Sequence, residues 1–103
     1  MFVEAAQALA RRIVREGGAS VQERIRFAYR VLLSRLPGEG EVARLTRLVE
    51  DSAAGFVSDK ERALKMAADP LGPPPQGADV VELAAWTVAG NVLLNLDEVL
   101  MRR

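Results

Sequence analysis

Neither cysteine nor histidine occurs in this 103-residue sequence. Their absence excludes disulfides, zinc sites built from thiolate or imidazole ligands, haem ligated by His or Cys, and catalysis by a Cys or His nucleophile–base pair. The adjacent carboxylates Asp97 and Glu98 offer too few oxygen ligands for a hard cation. We therefore predict no bound metal, no cofactor and no catalytic residue, and we do not expect an enzyme.

The sequence also lacks an excess of charge and a long apolar run. The 14 Lys and Arg residues are matched by 14 Asp and Glu residues, whereas proteins that bind nucleic acid carry a surplus of cations. No apolar run approaches the roughly 20 residues of a membrane span. The N-terminus lacks the charged segment and apolar core of a signal peptide. These features exclude a membrane span and disfavour a nucleic-acid partner.

What the sequence does contain is helical periodicity. Half of the residues are hydrophobic but only 5% are aromatic, so Leu, Val and Ala must fill the core. Apolar residues recur every three or four positions and show no strand alternation. The pattern predicts an all-α fold, a compact single-domain bundle of about five helices over residues 1–103, with the C-terminal helix central. The predicted helices span about 2–16, 21–36, 41–54, 59–68 and 80–102, and a Pro/Gly loop covers 70–78.

Helix-start and helix-stop signals agree with this periodicity. Capping boxes are predicted at Ser20, Ser58 and Asp79, because a Glu follows each of them by three positions. Pro37 and Gly55 are predicted to end the second and third helices.

The last helix has the widest apolar surface in the sequence. Its apolar arc covers almost half of the helix circumference, which is typical of a helix packed on several sides. The arc consists of Val81, Ala85, Trp86, Val88, Ala89, Val92, Leu93, Leu96, Val99 and Leu100. We predict that Trp86, the only Trp, is a core anchor rather than a binding platform. Gly90 is predicted to let another helix approach closely.

The same helix carries a narrow polar stripe, whose members lie three or four positions apart: Asn91, Asn95, Glu98 and Arg102. One hypothesis is that the stripe holds a polar ligand, a backbone segment or a partner protein. The alternative, which we favour, is that Asn and Glu satisfy unpaired N–H groups at neighbouring helix ends. Asp97 precedes Glu98, but adjacent helical residues diverge by about 100°, so the two carboxylates cannot act together on one bond.

A DNA-binding helix–turn–helix around Pro37 and Gly38 is the alternative to a protein-interaction role. The helix after this turn, EVARLTRLVED at 41–51, would then be the recognition helix. It offers two Arg against three acidic residues, whereas phosphate contacts require a surplus of cations. The charge pattern therefore disfavours this alternative.

Two segments resemble a known family. The first runs from Arg24 to Leu45 and includes RVLLSRLPGEGEVARL, and the second joins Ala85 and Trp86 to LLNLDE at 93–98. Together they resemble the C-terminal domain of unknown function of the planctomycete-type cytochrome-c-associated proteins (secreted, PSD-type). In that family an Arg-x-Pro segment precedes a Glu-led helix, and the chain closes with Ala-Trp and Leu-Leu-Asn-x-x-Glu-Phe.

The resemblance covers the chain from about Val14 onward, with departures at three places. Gly40 replaces a helix former, Val99 stands where the family has Phe, and the Pro-rich loop at 70–78 is particular to this sequence. Members are large proteins with an N-terminal haem-binding module. This sequence has no CxxCH motif, so haem binding does not carry over. The resemblance implies an excised domain, a truncated gene or a stand-alone relative. We expect a cytoplasmic location if it stands alone and an extracytoplasmic one if it is excised from a secreted parent.

The resemblance implies a relative but no reaction, because the family has no settled activity. We therefore predict a non-catalytic structural or protein-interaction module. Its partner would be another protein domain or a second copy of the chain, the latter through an N-terminal apolar strip led by Phe2 and Val3.

Overall fold

The computed structural model describes the backbone of residues 3–101 and the side chains of residues 4–96. Within this part of the chain there are five α-helices and no strand. The helices are α1 (Val3–Glu16), α2 (Val21–Leu33), α3 (Glu39–Val57), α4 (Lys60–Ala68) and α5 (Val80–Met101). The predicted all-α class and the number of helices are confirmed.

Helix α5 is the centre of the bundle, because it packs against each of the other four helices. The larger core cluster lies where α1, α2 and α3 meet α5, and its largest fully buried members are Trp86, Tyr29, Ile13, Ile25 and Leu93. A smaller cluster joins α4 and the end of α3 to the start of α5, through Phe56, Ala63, Ala67, Leu83 and Ala84. The predicted central position of the last helix is therefore confirmed.

The predicted capping box is present at Ser20, and the N-cap half of the predicted box is present at Asp79. The hydroxyl of Ser20 accepts a hydrogen bond from the N–H of Glu23 at 3.1 Å, and the Glu23 carboxylate accepts one from the N–H of Ser20 at 3.2 Å. At the start of α5, Asp79 Oδ1 accepts hydrogen bonds from the N–H groups of Val81 and Glu82 at 3.0 and 3.2 Å. These bonds satisfy backbone donors that have no partner inside the helix.

The third predicted cap is wrong by one residue. Asp59, not Ser58, begins α4, and its Oδ1 accepts from the N–H of Arg62 at 3.1 Å. Ser58 instead ends α3, where its hydroxyl donates to the carbonyl of Gly55 at 3.0 Å. The reason is that α3 continues through Gly55 for two more residues. This extension buries Phe56, which is 4% exposed, and such burial outweighs the roughly 1 kcal/mol that a helical glycine costs.

The turn between α2 and α3 also differs from the prediction. Helix α2 ends at Leu33 instead of continuing to position 36, because Ser34 adopts a left-handed conformation with φ 55°. Leu36 consequently projects from the turn and is 64% exposed. Pro37 follows the end of the helix and does not itself terminate it, and α3 begins at Glu39, before the predicted start at 41.

Helices α1 and α5 approach each other closely at Gly90. A Cβ atom at this position would lie 3.3 Å from the carbonyl oxygen of Ala6 and 3.5 Å from Cδ2 of Leu9. The predicted role of Gly90 in helix approach is confirmed. Because the nearest atom belongs to the backbone of α1, a larger side chain there must push the two helices apart.

We expect Gly90→Val to lower the free energy of unfolding by about 2–3 kcal/mol, since it inserts volume into a packed contact. Gly40→Val is the matched control, because the nearest atom to a Cβ at Gly40 is the flexible Arg44 Nη1 at 3.6 Å. The control should change stability by less than about 0.5 kcal/mol. Urea unfolding followed by circular dichroism measures both, and equal losses would contradict a close contact at Gly90.

Candidate functional site

The predicted polar stripe lies only partly within the described region. Asn91 is half-buried, and its Oδ1 is buried with no hydrogen-bond partner among the described residues. Asn95 is exposed. The side chain of Glu98 and all of Arg102 lie outside the described residues, as do the side chains that lead the N-terminal strip. The role of the stripe and the contact between copies therefore stay predictions.

Trp86 lies inside the core and is 1% exposed. Arg24 covers it, with the guanidinium carbon 6.0 Å from the centre of the ring. The same side chain donates to the carbonyl of Gly18 at 3.0 Å and forms an ion pair with Glu82 at 3.1 Å. Arg24 thus joins the loop after α1 and the start of α5 to α2. The indole ring is not available as a binding platform.

Gln7 is a fully buried polar residue that sequence reasoning missed. Its Nε2 donates to the carbonyls of Met66 and Asp69, each at 2.8 Å, and its Oε1 accepts from the N–H of Leu71 at 3.1 Å. These three bonds satisfy backbone groups at the end of α4 and in the loop that follows. Buried backbone groups of this kind need partners, because leaving one unpaired costs about 1–3 kcal/mol.

Arg11 extends the same contact by one helical turn. Its guanidinium donates to the carbonyls of Ala67 and Gly72. Gln7 and Arg11 lie four positions apart on α1, beside its apolar stripe, so their common face is visible in the sequence. Their partners lie 56–64 positions along the chain, and no local pattern indicates which segment they meet.

A hydrogen-bonded cluster around Glu41 stabilises the turn between α2 and α3. Arg35 donates two hydrogen bonds to Glu41, from Nη1 to Oε1 at 3.0 Å and from Nη2 to Oε2 at 2.9 Å. The N–H of Gly38 donates to Oε1 at 2.8 Å, and the hydroxyl of Tyr29 donates to Oε2 at 3.1 Å. Two-pronged pairing of this kind is the strongest geometry for Arg and a carboxylate.

The bonds to Glu41 set its charge state. The hydrogen bonds from Arg35, followed by that from the N–H of Gly38, lower the pKa of Glu41 from 4.5 to about 2. Glu41 is therefore ionised at neutral pH, and both of its oxygens accept hydrogen bonds within the turn. A carboxylate held in this way is suited to fixing the turn and poorly suited to donating a proton.

An open apolar groove of about 700 Å³ runs between α3 and the C-terminal half of α5. Its apolar surface includes Leu45 and Leu48 of α3 and Val92 and Leu96 of α5. Val92 and Leu96 are 39% and 38% exposed. They nevertheless belong to the same apolar arc whose members nearer the start of α5 face the core. We name this feature the α3–α5 groove.

Charged residues of α3 follow the α3–α5 groove along its length. Glu41 lies near one end, Arg44 and Arg47 come next, and Asp51 follows after another turn. None of Arg44, Arg47 and Asp51 forms an ion pair within the region that the structure describes. Since Glu41 is paired with Arg35 and Glu39 lies outside the α3–α5 groove, the unpaired charge that borders the groove changes from positive to negative.

A second groove of about 500 Å³ lies between α2 and α3 and is more mixed in character. It is lined by both cations and anions, including Arg26, Arg47, Glu39 and Glu50. The exposed surface of α3 therefore presents both signs of charge on each of its sides. This surface lends no support to α3 as a recognition helix for DNA, since phosphate contacts need a cationic face.

Comparisons with known proteins identify no relative. No protein-family model matches the chain, and neither a curated protein nor a solved structure is detectably similar to it. The described residues contain no group of three His, Cys, Asp or Glu side chains placed to hold a metal ion. Among the described helices, none combines the length and the apolarity that crossing a bilayer requires.

We expect Gln7→Met to reduce the free energy of unfolding by about 2–4 kcal/mol. The change preserves side-chain length but leaves the carbonyls of Met66 and Asp69 and the N–H of Leu71 without partners. Gln22→Met, at an exposed position of α2, is the matched control and should alter stability by less than about 0.5 kcal/mol. Urea unfolding measures both. A small effect from both variants would show that Gln7 does not tie α1 to α4.

The depressed pKa of Glu41 predicts a pH dependence of stability. The carboxylate contributes fully above its unfolded-state pKa of 4.5, and the contribution is lost as the pH falls toward about 2. At pH 7, Glu41→Gln should cost about 1–2 kcal/mol after allowance for partial exposure. Its unfolding curve should also change less than that of the unmodified chain between these two pH values.

Glu50→Gln provides the control for Glu41→Gln, because Glu50 is exposed on the same helix. The control should follow the pH dependence of the unmodified chain. Thermal unfolding at a series of pH values measures all three proteins. Parallel curves for Glu41→Gln and the unmodified chain would contradict a stabilising role for the Arg35–Glu41 pair.

Proposed function

We propose that this chain is a non-catalytic helical module that binds another protein through the α3–α5 groove. The observation that carries the proposal is the exposure of Val92 and Leu96. They lie one turn apart on α5, belong to its apolar arc and line an open groove. Exposed apolar side chains that are grouped in a groove, rather than scattered singly, mark a candidate interaction surface. The groove therefore supports a docking role.

The polar clusters support the non-catalytic part of the proposal. Gln7 is used to hold the end of α4, Arg24 to cover Trp86, and Glu41 to fix a turn. Catalysis needs polar groups that converge on a place where a substrate can lie. In the described region these three side chains instead bind backbone groups and side chains of neighbouring segments.

We further propose that the module acts within or beside a larger protein, as the resemblance to the C-terminal domain of the planctomycete-type cytochrome-c-associated proteins implies. The Arg-x-Pro segment and the following Glu have a structural role in this fold, since Arg35 and Glu41 form two hydrogen bonds across the turn that contains Pro37. This agreement supports the resemblance. On this proposal the chain takes the location of its parent or partner.

A photo-cross-linking experiment tests the docking role. A photoreactive amino acid replaces Leu96 in one version of the chain and Leu64 of α4 in another, each expressed in cells that natively produce the protein. Leu64 is the matched control, because it is an apolar residue that is 47% exposed and lies outside the groove. We expect a discrete adduct with another protein from position 96 and none from position 64.

The captured protein is then purified and titrated against variants of the chain. Leu96→Lys should weaken its binding by at least about tenfold, which corresponds to the loss of one buried apolar anchor. The melting temperature should change little, since Leu96 is partly exposed. Leu64→Lys should bind like the unmodified chain. Equal cross-linking at both positions, or unchanged binding by Leu96→Lys, would contradict the proposed function.

A further inference from the structure

The apolar surface of the α3–α5 groove has the spacing of helical side chains. Val92 and Leu96 lie four positions apart on α5, and Leu45 and Leu48 lie three apart on α3. Ridges formed by side chains at these spacings receive the side chains of a third helix between them. The groove is therefore shaped for a helix that lies along it.

Backbone hydrogen bonding gives a second reason to expect a helical occupant. A helix satisfies its own N–H and C=O groups, so it can lie on an apolar floor without leaving these groups unpaired. An extended segment that binds by adding a strand would need a sheet edge to pair with. The described part of the chain contains helices but no strand, and so offers no such edge.

The charges along α3 restrict the occupant further. Arg44 and Asp51 are seven positions apart, which is nearly two full helical turns, so they lie on the same side of α3 about 10 Å apart. Arg47 adds a second cation near Arg44. Glu41 does not cancel these cations, because Arg35 already holds it through two hydrogen bonds. The groove is thus bordered by positive charge at one end and by a carboxylate at the other.

The helix dipole fixes the direction in which the occupant lies. Acidic residues are favoured in the first turn of a helix and basic residues in its last turn. A helix with this charge order complements the groove when it runs parallel to α3, with its acid facing Arg44 and Arg47 and its base facing Asp51. We infer that the partner inserts a short amphipathic helix, with an acidic residue in its first turn and a basic residue about two turns later. This inference rests on the proposed function of the groove.

Two stapled peptides of about 14 residues, long enough for almost four helical turns, test the inference against the intact chain. Both have the same composition and the same apolar stripe. One places its acidic residues before the stripe and its basic residues after it, and the other reverses this order. We expect the acid-first peptide to bind about five to ten times more tightly at low salt. The ratio should shrink toward one at about 0.5 M salt, because exposed ion pairs are screened.

A charge-reversed chain provides the decisive comparison. Exchanging the signs of the groove border through Arg44→Glu, Arg47→Glu and Asp51→Lys should reverse the preference, so that the base-first peptide binds more tightly. A control exchange at exposed positions outside the groove, Arg30→Glu with Glu61→Lys, should retain the original preference. Circular dichroism establishes that each variant is folded, and if the triple variant does not fold, Arg44→Glu alone should abolish the preference.

Each of the other outcomes would contradict a different part of the inference. If both peptides bind equally and Leu96→Lys weakens both, the charge order is wrong but docking in the groove stands. If neither peptide binds at about 1 mM, the helical occupant is wrong, and cross-linking at position 96 decides separately whether the groove docks any protein. If light scattering shows a dimer that Leu96→Lys dissociates, the occupant is a second copy of the chain.

Discussion

The close approach of α1 to α5 at Gly90 is the contact on which the rest of the structure depends. The core contains few large side chains, since eight of its 18 buried hydrophobic residues among the described positions are Ala. Small residues give useful burial only when the helices come close together. Once α1 is held at this distance, Val14 packs against both core clusters. Gln7 and Arg11 are then brought to the end of α4.

The α3–α5 groove lies on the side of α5 that faces α3. Helix α5 packs against all four other helices, and Leu93 is fully buried among them. Val92 and Leu96 belong to the same apolar arc, but they keep more than a third of their surface in solvent and line the open groove. An apolar surface that the described part of the bundle leaves uncovered is the physical basis of the proposed docking role.

Features that depend on neighbouring residues could be predicted from the sequence. The caps at Ser20 and Asp79 involve bonds within three positions, and the apolar periodicity gave five helices with the last one central. Which distant segments a given side chain contacts could not be predicted. The partners of Gln7 lie about 60 positions away. A helical wheel of α5 shows a broad apolar arc but cannot show where neighbouring helices stop covering it. The polar side chains of Asn91 and Asn95 predict a site on the polar stripe, whereas the α3–α5 groove combines apolar side chains with a charged border.

The tie between Gln7 and the end of α4 has a consequence for how the molecule fluctuates. Helix α4 has nine residues, and isolated helices shorter than about 12–15 residues are marginal in water. Its persistence therefore depends on docking, and its last carbonyls are held by α1. A separation of α1 from the bundle would break those bonds and leave the last carbonyls of α4 unpaired. Opening of the first helix would therefore weaken the fourth, although more than 40 residues separate them in the chain.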